Sequence, residues 1–192
     1  MKLIGLSGTN GAGKDLVGEL LAERHGYLFV SVTDLLRDEC RKRGLPVERE
    51  NLRLISGEWR RDGGLGALVD KAVALYKASE GQYKGLVMAS MRNPGEADRI
   101  HELGGSMVWV DADPIIRYDR VYSRMRSQED NKTYEEFLAD SEVEMHGNPN
   151  DPTSLNMSAV KERCDLTILN EGDDIEAFAK ELVPVLQPLG LL

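Results

Sequence analysis

Cysteine is scarce in this chain: Cys40 and Cys164 are the two in 192 residues. Their separation matches neither a CxxC pair nor a zinc-ligand spacing, which argues against a disulfide scaffold. A large zinc-bearing lid is excluded by the count. No apolar run approaches the roughly 20 residues of a membrane span, and the first residues lack the order of a secretory signal. A soluble, cytoplasmic domain is expected. Positive charge is also in deficit, with 24 Lys and Arg against 33 Asp and Glu, a net −9. That balance argues against a nucleic-acid groove, yet leaves room for a local basic pocket around one phosphate ester. His25, His101 and His146 form no pair at metal spacing, and no Ser-His-Asp or Cys-His arrangement can be argued. The composition does hold 41% hydrophobic residues, enough at this length for one domain over residues 1–192.

Short apolar stretches bounded by turn chemistry alternate with amphipathic ones. Strands are expected at residues 3–6, 27–32, 86–91, 107–110 and 166–169. Helices are expected at residues 14–25, 34–43, 48–61, 65–79, 94–103, 114–127, 133–145 and 175–186. Thr33 is expected to cap the second helix, and Gly63-Gly64 to form a hinge between the two helices that follow. Asp111 and Asp113 read as a turn and an N-cap before Pro114. Residues 147–156 read as a loop. Five buried strands interleaved with helices predict an α/β fold of three layers, α/β/α, around a parallel sheet.

Between the first strand and the first helix stands Gly8-Thr9-Asn10-Gly11-Ala12-Gly13-Lys14, a match to G-x-x-x-x-G-K. Glycines there permit positive φ and close approach, so successive N–H groups can face the phosphates of ATP. The helix start adds the positive end of its dipole, and Lys14 can bridge the outer phosphates. The usual Ser or Thr after the lysine, a Mg²⁺ ligand, is replaced by Asp15. That carboxylate can bind the metal, act through water, or simply favour the helix N-terminus.

This strand–loop–helix segment resembles P-loop small-molecule kinases. The Gly13-Lys14-Asp15 ending is similar to that of phage deoxynucleoside monophosphate kinases and animal phosphomevalonate kinases. Val32-Thr33-Asp34-Leu35-Leu36-Arg37 resembles the acceptor-binding signature of adenylate kinases, which implies that Arg37 grips the acceptor phosphate. Arg120-Val121-Tyr122-Ser123-Arg124 is similar to their arginine pair at the lid, implying that Arg120 and Arg124 clamp the transferring phosphoryl. Leu169-Asn170-Glu171-Gly172 resembles the purine-contacting loop. The order of these pieces along nearly the whole chain is that of nucleoside monophosphate kinases and dephospho-coenzyme A kinases. The resemblance implies a P-loop NTPase fold, with an acceptor-binding helical region at about residues 34–80 and a short lid at about 117–146.

Phosphoryl transfer asks mostly for positioning and charge neutralisation. Lys14, Arg37, Arg92, Arg120 and Arg124 are the cations expected to converge, at the C-terminal edge of the sheet. Arg37 also fits a charged helix face with Asp38, Arg41 and Lys42, though the preceding Thr-Asp-Leu-Leu favours acceptor binding. The run Arg117, Arg120, Arg124 and Arg126 also fits a solvated face, though Arg120 and Arg124 share one helix face as a lid pair would. Asp34 reads as an acceptor or Mg²⁺-water ligand, or as a first-turn acid. Trp59 reads as a base-stacking wall or as core. The polar stretch 125–132 is the expected lid tip. Where the resemblance leads one to expect an acid at the end of the third strand, Ala89 and Ser90 stand instead. The leading expectation is ATP- and Mg²⁺-dependent phosphorylation of a nucleoside or deoxynucleoside monophosphate, by a monomer or homodimer. Dephospho-coenzyme A and phosphomevalonate are alternative acceptors. A nucleotide-binding regulator with little kinase activity is the alternative of a different class.

Overall fold

Six consecutive buried residues follow Lys2 in β1 (Lys2–Gly8), the middle strand of a five-stranded sheet. The computed structural model describes residues 1–124 and 131–190. After β1 come α1 (Lys14–His25), β2 (Tyr27–Ser31), α2 (Val32–Lys42), α3 (Arg49–Gly63) and α4 (Ala67–Ala78). Then follow β3 (Gly85–Ala89), α5 (Pro94–Glu102), β4 (Ser106–Asp111), α6 (Pro114–Arg124) and α7 (Tyr134–His146). The chain continues through α8 (Met157–Lys161), β5 (Leu166–Leu169) and α9 (Ile175–Leu186). Strand order is β2-β3-β1-β4-β5, and every pairing is parallel.

A parallel sheet is covered on both faces, so its inner strands should be apolar without alternation while edge strands alternate. β3 is buried at all five positions, whereas edge strand β5 buries only Ile168 fully. Successive side chains go to opposite layers. Leu3, Leu86, Met88 and Met107 pack with Leu36, Ile55, Leu68 and Ile100 from α2–α5. Ile4, Leu6, Val87 and Val108 pack with Val17, Leu21, Phe178 and Leu182 from α1 and α9. This is the expected three-layer α/β/α fold.

Some expectations need correction. β2 ends at Ser31, and Val32 already belongs to α2, so Thr33 is a first-turn residue and not the cap. β3 stops at Ala89, and Ser90 takes φ 71°, turning the chain out of the sheet toward α5. Residues past the 147–156 loop form the short α8, capped by the Asn156 side chain. Trp59 packs on the core beneath the Lys71 ammonium, 4.2 Å from its ring centroid, which is the core reading. Gly64, at φ 83°, makes the break between α3 and α4. The expected lid tip falls outside the described residues except for its last two positions, and Arg126 lies outside them altogether.

Candidate functional site

The loop between β1 and α1 lies where strand order reverses, with β3 on one side of β1 and β4 on the other. Open α/β sheets bind ligands at such a point. Three glycines shape the loop: Gly8 at φ 137°, Gly11 at φ 84° and Gly13 at φ 93°. A Cβ at Gly8 would stand 1.9 Å from the Val110 carbonyl oxygen, and one at Gly11 would stand 2.5 Å from that of Arg117. Close approach of β4 and α6 therefore requires glycine at both. Gly13 also precedes α1 without any side-chain cap. α5, α7, α8 and α9 are capped by Asn93, Thr133, Asn156 and Asp174, whereas α2, α3 and α4, like α1, have no side-chain cap. The leading N–H groups of α1 are thus left by side chains for an anion.

Neighbouring elements brace the loop. Thr9 Oγ1 donates to Asp111 Oδ1 at 3.1 Å, and Asn170 Nδ2 donates to the Ala12 carbonyl at 2.9 Å. Arg124 donates to Asn10 Oδ1 at 3.0 Å. Asp111 also accepts from Trp109 Nε1 and Ala112 N; burial pushes its carboxyl up, but these bonds and Lys161 hold it below the usual range. Asp113 accepts from Ile115 N at 2.8 Å, the expected cap of α6. Arg117 is buried and donates to the Ala112 carbonyl, so it is a strut and not a solvated cation.

Lys14 is 8% exposed, and its ammonium donates to the Thr9 carbonyl at 2.7 Å. Burial, then repulsion from Arg92, pushes its pKa down to about 7; Asp15 and Glu144 act in the opposite sense. A desolvated cation beside an uncapped helix start suits a polyphosphate that restores its charge.

Opposite the loop, α2, α3 and the β3–α5 turn enclose a cavity of about 230 Å³. Six arginines line it among the described residues: Arg37, Arg49, Arg53, Arg60, Arg92 and Arg124. Glu144 from α7 is the carboxylate among them, 2.9 Å from Arg92 and 4.0 Å from Arg49. Asp34 is not among the lining residues; it pairs with Arg37 at 2.7 Å. Arg92 is aimed by a buried frame: its N–H donates to Glu96 Oε2 at 2.8 Å, and Glu96 Oε1 binds Arg60 at 2.6 Å.

Of the two expected lid arginines, Arg124 reaches this cavity and Arg120 does not. Arg120 donates to the carbonyls of Asn170 and Gly172, each at 2.8 Å. It helps line a second hollow, of about 190 Å³, with Gly13, Leu16, Gly172 and Phe178. Asn170 is 2% exposed, and Glu171 is exposed without lining that hollow.

Sequence reasoning passed over Arg49, Arg53 and Arg60 on α3, and Glu144 on α7. A signal existed for the arginines: spacings of four and seven residues keep all three within about 40° on one helix face. Glu144 carried no such signal, because its place depends on how α7 folds back. Among the described residues, no three His, Cys, Asp or Glu side chains gather to hold a metal. A phosphate-borne Mg²⁺ needs less, since it keeps waters and takes one or two carboxylates beside phosphate oxygens. Half-buried Asp15, close enough to act on the Lys14 charge, fits that need.

The family model described as an AAA domain (AAA_18) matches residues 4–144. The chain belongs to this family. Its kinase-like P-loop fold is also seen in a solved shikimate kinase from Acinetobacter baumannii in complex with shikimate. That likeness has a TM-score of 0.55 at 18% identity, over 100% of this chain and 96% of that one. Among relatives, a UPF0200 protein of Pyrococcus abyssi is 27% identical over 97% of this chain and 96% of its own length. A UPF0200 protein of Pyrococcus horikoshii is 31% identical over 71% of this chain and 74% of its own. No helix among the described residues is long and apolar enough to cross a membrane.

Proposed function

We propose that this AAA_18 family member is an ATP-dependent kinase acting on a small phosphorylated acceptor, a nucleoside or deoxynucleoside monophosphate first of all. The observation that carries the reading is the facing of two anion sites. The phosphate loop with Lys14 stands on one side, and the arginine-lined cavity on the other, with Arg92 and Arg124 close enough to lower the Lys14 pKa. Two negatively charged reactants meet only where cations converge on the gap between them.

In this reading the loop N–H groups of residues 8–14 and Lys14 hold the β and γ phosphates of ATP. The hollow under Asn170 and Gly172 takes the purine, with Arg120 fixing the carbonyls around it. Arg37, Arg92 and Arg49 hold the acceptor phosphate, and Arg124 neutralises charge from α6. An acceptor phosphate oxygen forms a bond to the γ phosphorus while the bond from that phosphorus to the β–γ bridging oxygen breaks. ADP and the acceptor diphosphate result. Mg²⁺, with Asp15 as its protein carboxylate, would supply further neutralisation of the phosphate oxygens.

A second reading, a nucleotide-binding regulator with little transfer activity, is favoured by one observation. β3 ends at Ala89 and is followed by Ser90, so that strand end brings no carboxylate to the phosphates. One assay separates the two. ADP release from ATP and Mg²⁺ is measured against all ribo- and deoxyribonucleoside monophosphates, dephospho-coenzyme A and phosphomevalonate, with Lys14→Ala as control. A stimulation of about a hundredfold or more by one acceptor supports the kinase and names its substrate. ATP binding that depends on Lys14, with no acceptor stimulating turnover, supports the regulator.

A further inference from the structure

Glu144 is the acidic member of a cavity whose other charged lining residues, among the described residues, are six arginines. Glu144 borders three hollows. It lines the acceptor cavity, a small gap between α6 and α7, and a space of about 530 Å³ behind, bounded by α3 and the 147–156 loop. Burial alone would raise its carboxyl, yet the charges of Arg92 and Arg49, the Arg92 hydrogen bond and Lys14 hold it below the ordinary range. An ionised carboxylate therefore sits in a pocket whose cations have geometry suited to a larger oxyanion.

How α7 is held bears on what Glu144 does there. The packed anchor of that helix is Phe137, its buried residue, which meets the Tyr118 ring edge-on and lies under the Arg117 guanidinium. Over the next two turns α7 faces the site with charged side chains. Asp140 lies 3.8 Å from Arg49, Glu144 pairs with Arg92 and Arg49, and adjacent Val143 is 70% exposed. Besides packing on α8, the C-terminal half of α7 is thus tied toward the site by ion pairs, those of Glu144 lying in the acceptor cavity. An oxyanion with two or three acceptor oxygens competes directly for them.

We propose that Glu144 is a specificity-determining stand-in, occupying the seat of the acceptor's anionic group until a phosphate or comparable oxyanion takes Arg92 and Arg49 from it. A neutral molecule entering the cavity leaves Glu144 in place and meets a filled seat. An anionic one displaces the carboxylate and opens the way toward the space behind it. The inference rests on the kinase reading only in naming the displaced group's replacement an acceptor.

Calorimetric titration of inorganic phosphate into the full chain, without ATP, tests this. Glu144→Gln keeps the size of the side chain and removes its charge, so phosphate should bind about tenfold tighter or better than in the wild type. The gain should vanish in an Arg49→Gln background, because Arg49 pairs with Glu144. Unlike Arg92 and Arg124, Arg49 is not among the charges that set the Lys14 pKa, so a phosphate held by Lys14 in the loop would respond to it much less. Glu144→Asp, which pulls the carboxylate back by one methylene, should give an intermediate gain and covers the case in which Glu144→Gln does not fold. Equal or weaker binding in folded Glu144→Gln overturns the proposal. So does a gain that survives Arg49→Gln, or an absence of phosphate binding in every variant. Because no turnover is measured, failure of the kinase assay leaves this result standing, and a working kinase with an unresponsive Glu144 refutes this proposal alone.

Discussion

Arg120 and Asn170 are joined by a 2.8 Å hydrogen bond, guanidinium to main-chain carbonyl, and through it α6 is coupled to the phosphate loop. The second link is the Asn170 side chain, which donates to the Ala12 carbonyl at 2.9 Å. A residue read from the sequence as a clamp on the transferring phosphoryl is instead seated on the loop after β5. The structure thus separates the two lid arginines, Arg124 toward the acceptor cavity and Arg120 toward the hollow near α9.

Arg120→Ala should therefore lower nucleotide affinity more than it lowers acceptor affinity. A loss on the order of tenfold in ATP binding is expected, the size of a charge-assisted hydrogen-bond pair. Arg124→Ala should instead act chiefly on transfer, lowering kcat on the order of a hundredfold, with a smaller loss of ATP affinity from its missing bond to Asn10. Calorimetry with ATP and initial rates against the acceptor separate the two. Equal effects on both ligands from Arg120→Ala, or an unchanged kcat in Arg124→Ala, would contradict the assignment.

Lys14 makes a pH prediction with a definite sign. Its folded pKa of about 7 lies below the ordinary 10.5. Between those values the unfolded chain binds more protons than the folded one, so this group makes stability rise with pH across that window. Below about pH 7 the penalty is fully present. Lys14→Met should accordingly raise Tm by a few degrees at pH 6 and by much less at pH 10. ATP, which requires the ammonium, should bind with proton uptake near pH 8, seen as a buffer-dependent binding enthalpy. It should also weaken by up to about tenfold per pH unit above 7. An equal Tm gain at both pH values would contradict the buried-lysine argument.

Where regular periodicity ran long enough, the elements were legible: β5 and α9 occupy the stretches that the sequence pattern predicts. The β2–α2 boundary was misplaced because Val30-Ser31-Val32 alternates like a strand, while Val32 is buried in the first turn of a helix. The five residues of α8 are too few to show a helical period. The phosphate loop was legible because glycine spacing encodes local backbone geometry. The acceptor cavity was only partly so, since Arg92 follows the end of β3 and Arg37 lies on the helix directly after β2, whereas Arg49, Arg53 and Glu144 reach it by long-range packing. No local pattern distinguishes Glu144 from neighbouring Glu142, which lies outside the acceptor cavity.

Two loop glycines should differ in how their replacement can be repaired. Gly8→Ala sets a Cβ 1.9 Å from the backbone oxygen of Val110, its register partner on β4. Nothing short of moving a central strand relieves that contact, so a loss of about 3 kcal/mol or more is expected. Gly13→Ala meets the Asn170 side-chain nitrogen at 2.2 Å and also keeps an unfavourable φ of 93°. Asn170→Ala should remove the contact but not the backbone strain, so the double variant recovers part of the loss. Urea unfolding of the single and double variants measures that coupling, and strict additivity would show that the contact relaxes by itself.

Arg60 and Glu96, whose side chains are 3% and 0% exposed, form an ion pair at 2.6 Å. Arg60 also donates to the Thr153 carbonyl at 2.9 Å, and Glu96 accepts from the N–H groups of Arg92 and Asn93. One pair thereby fixes α3, the 147–156 loop and the turn that carries Arg92. Removing either partner strands a buried charge, so Arg60→Met or Glu96→Gln should cost about 3–5 kcal/mol in urea unfolding. The double variant should recover a good part of this, since no charge is left behind. Glu96→Gln, which keeps the shape and one acceptor oxygen, should loosen Arg92 and raise acceptor KM in a still-folded protein. Arg60→Met should also expose the 147–156 loop to proteolysis, because Thr153 loses its donor. A cost below about 1 kcal/mol for both single variants would mean that water reaches the pair and that Arg92 is aimed by something else.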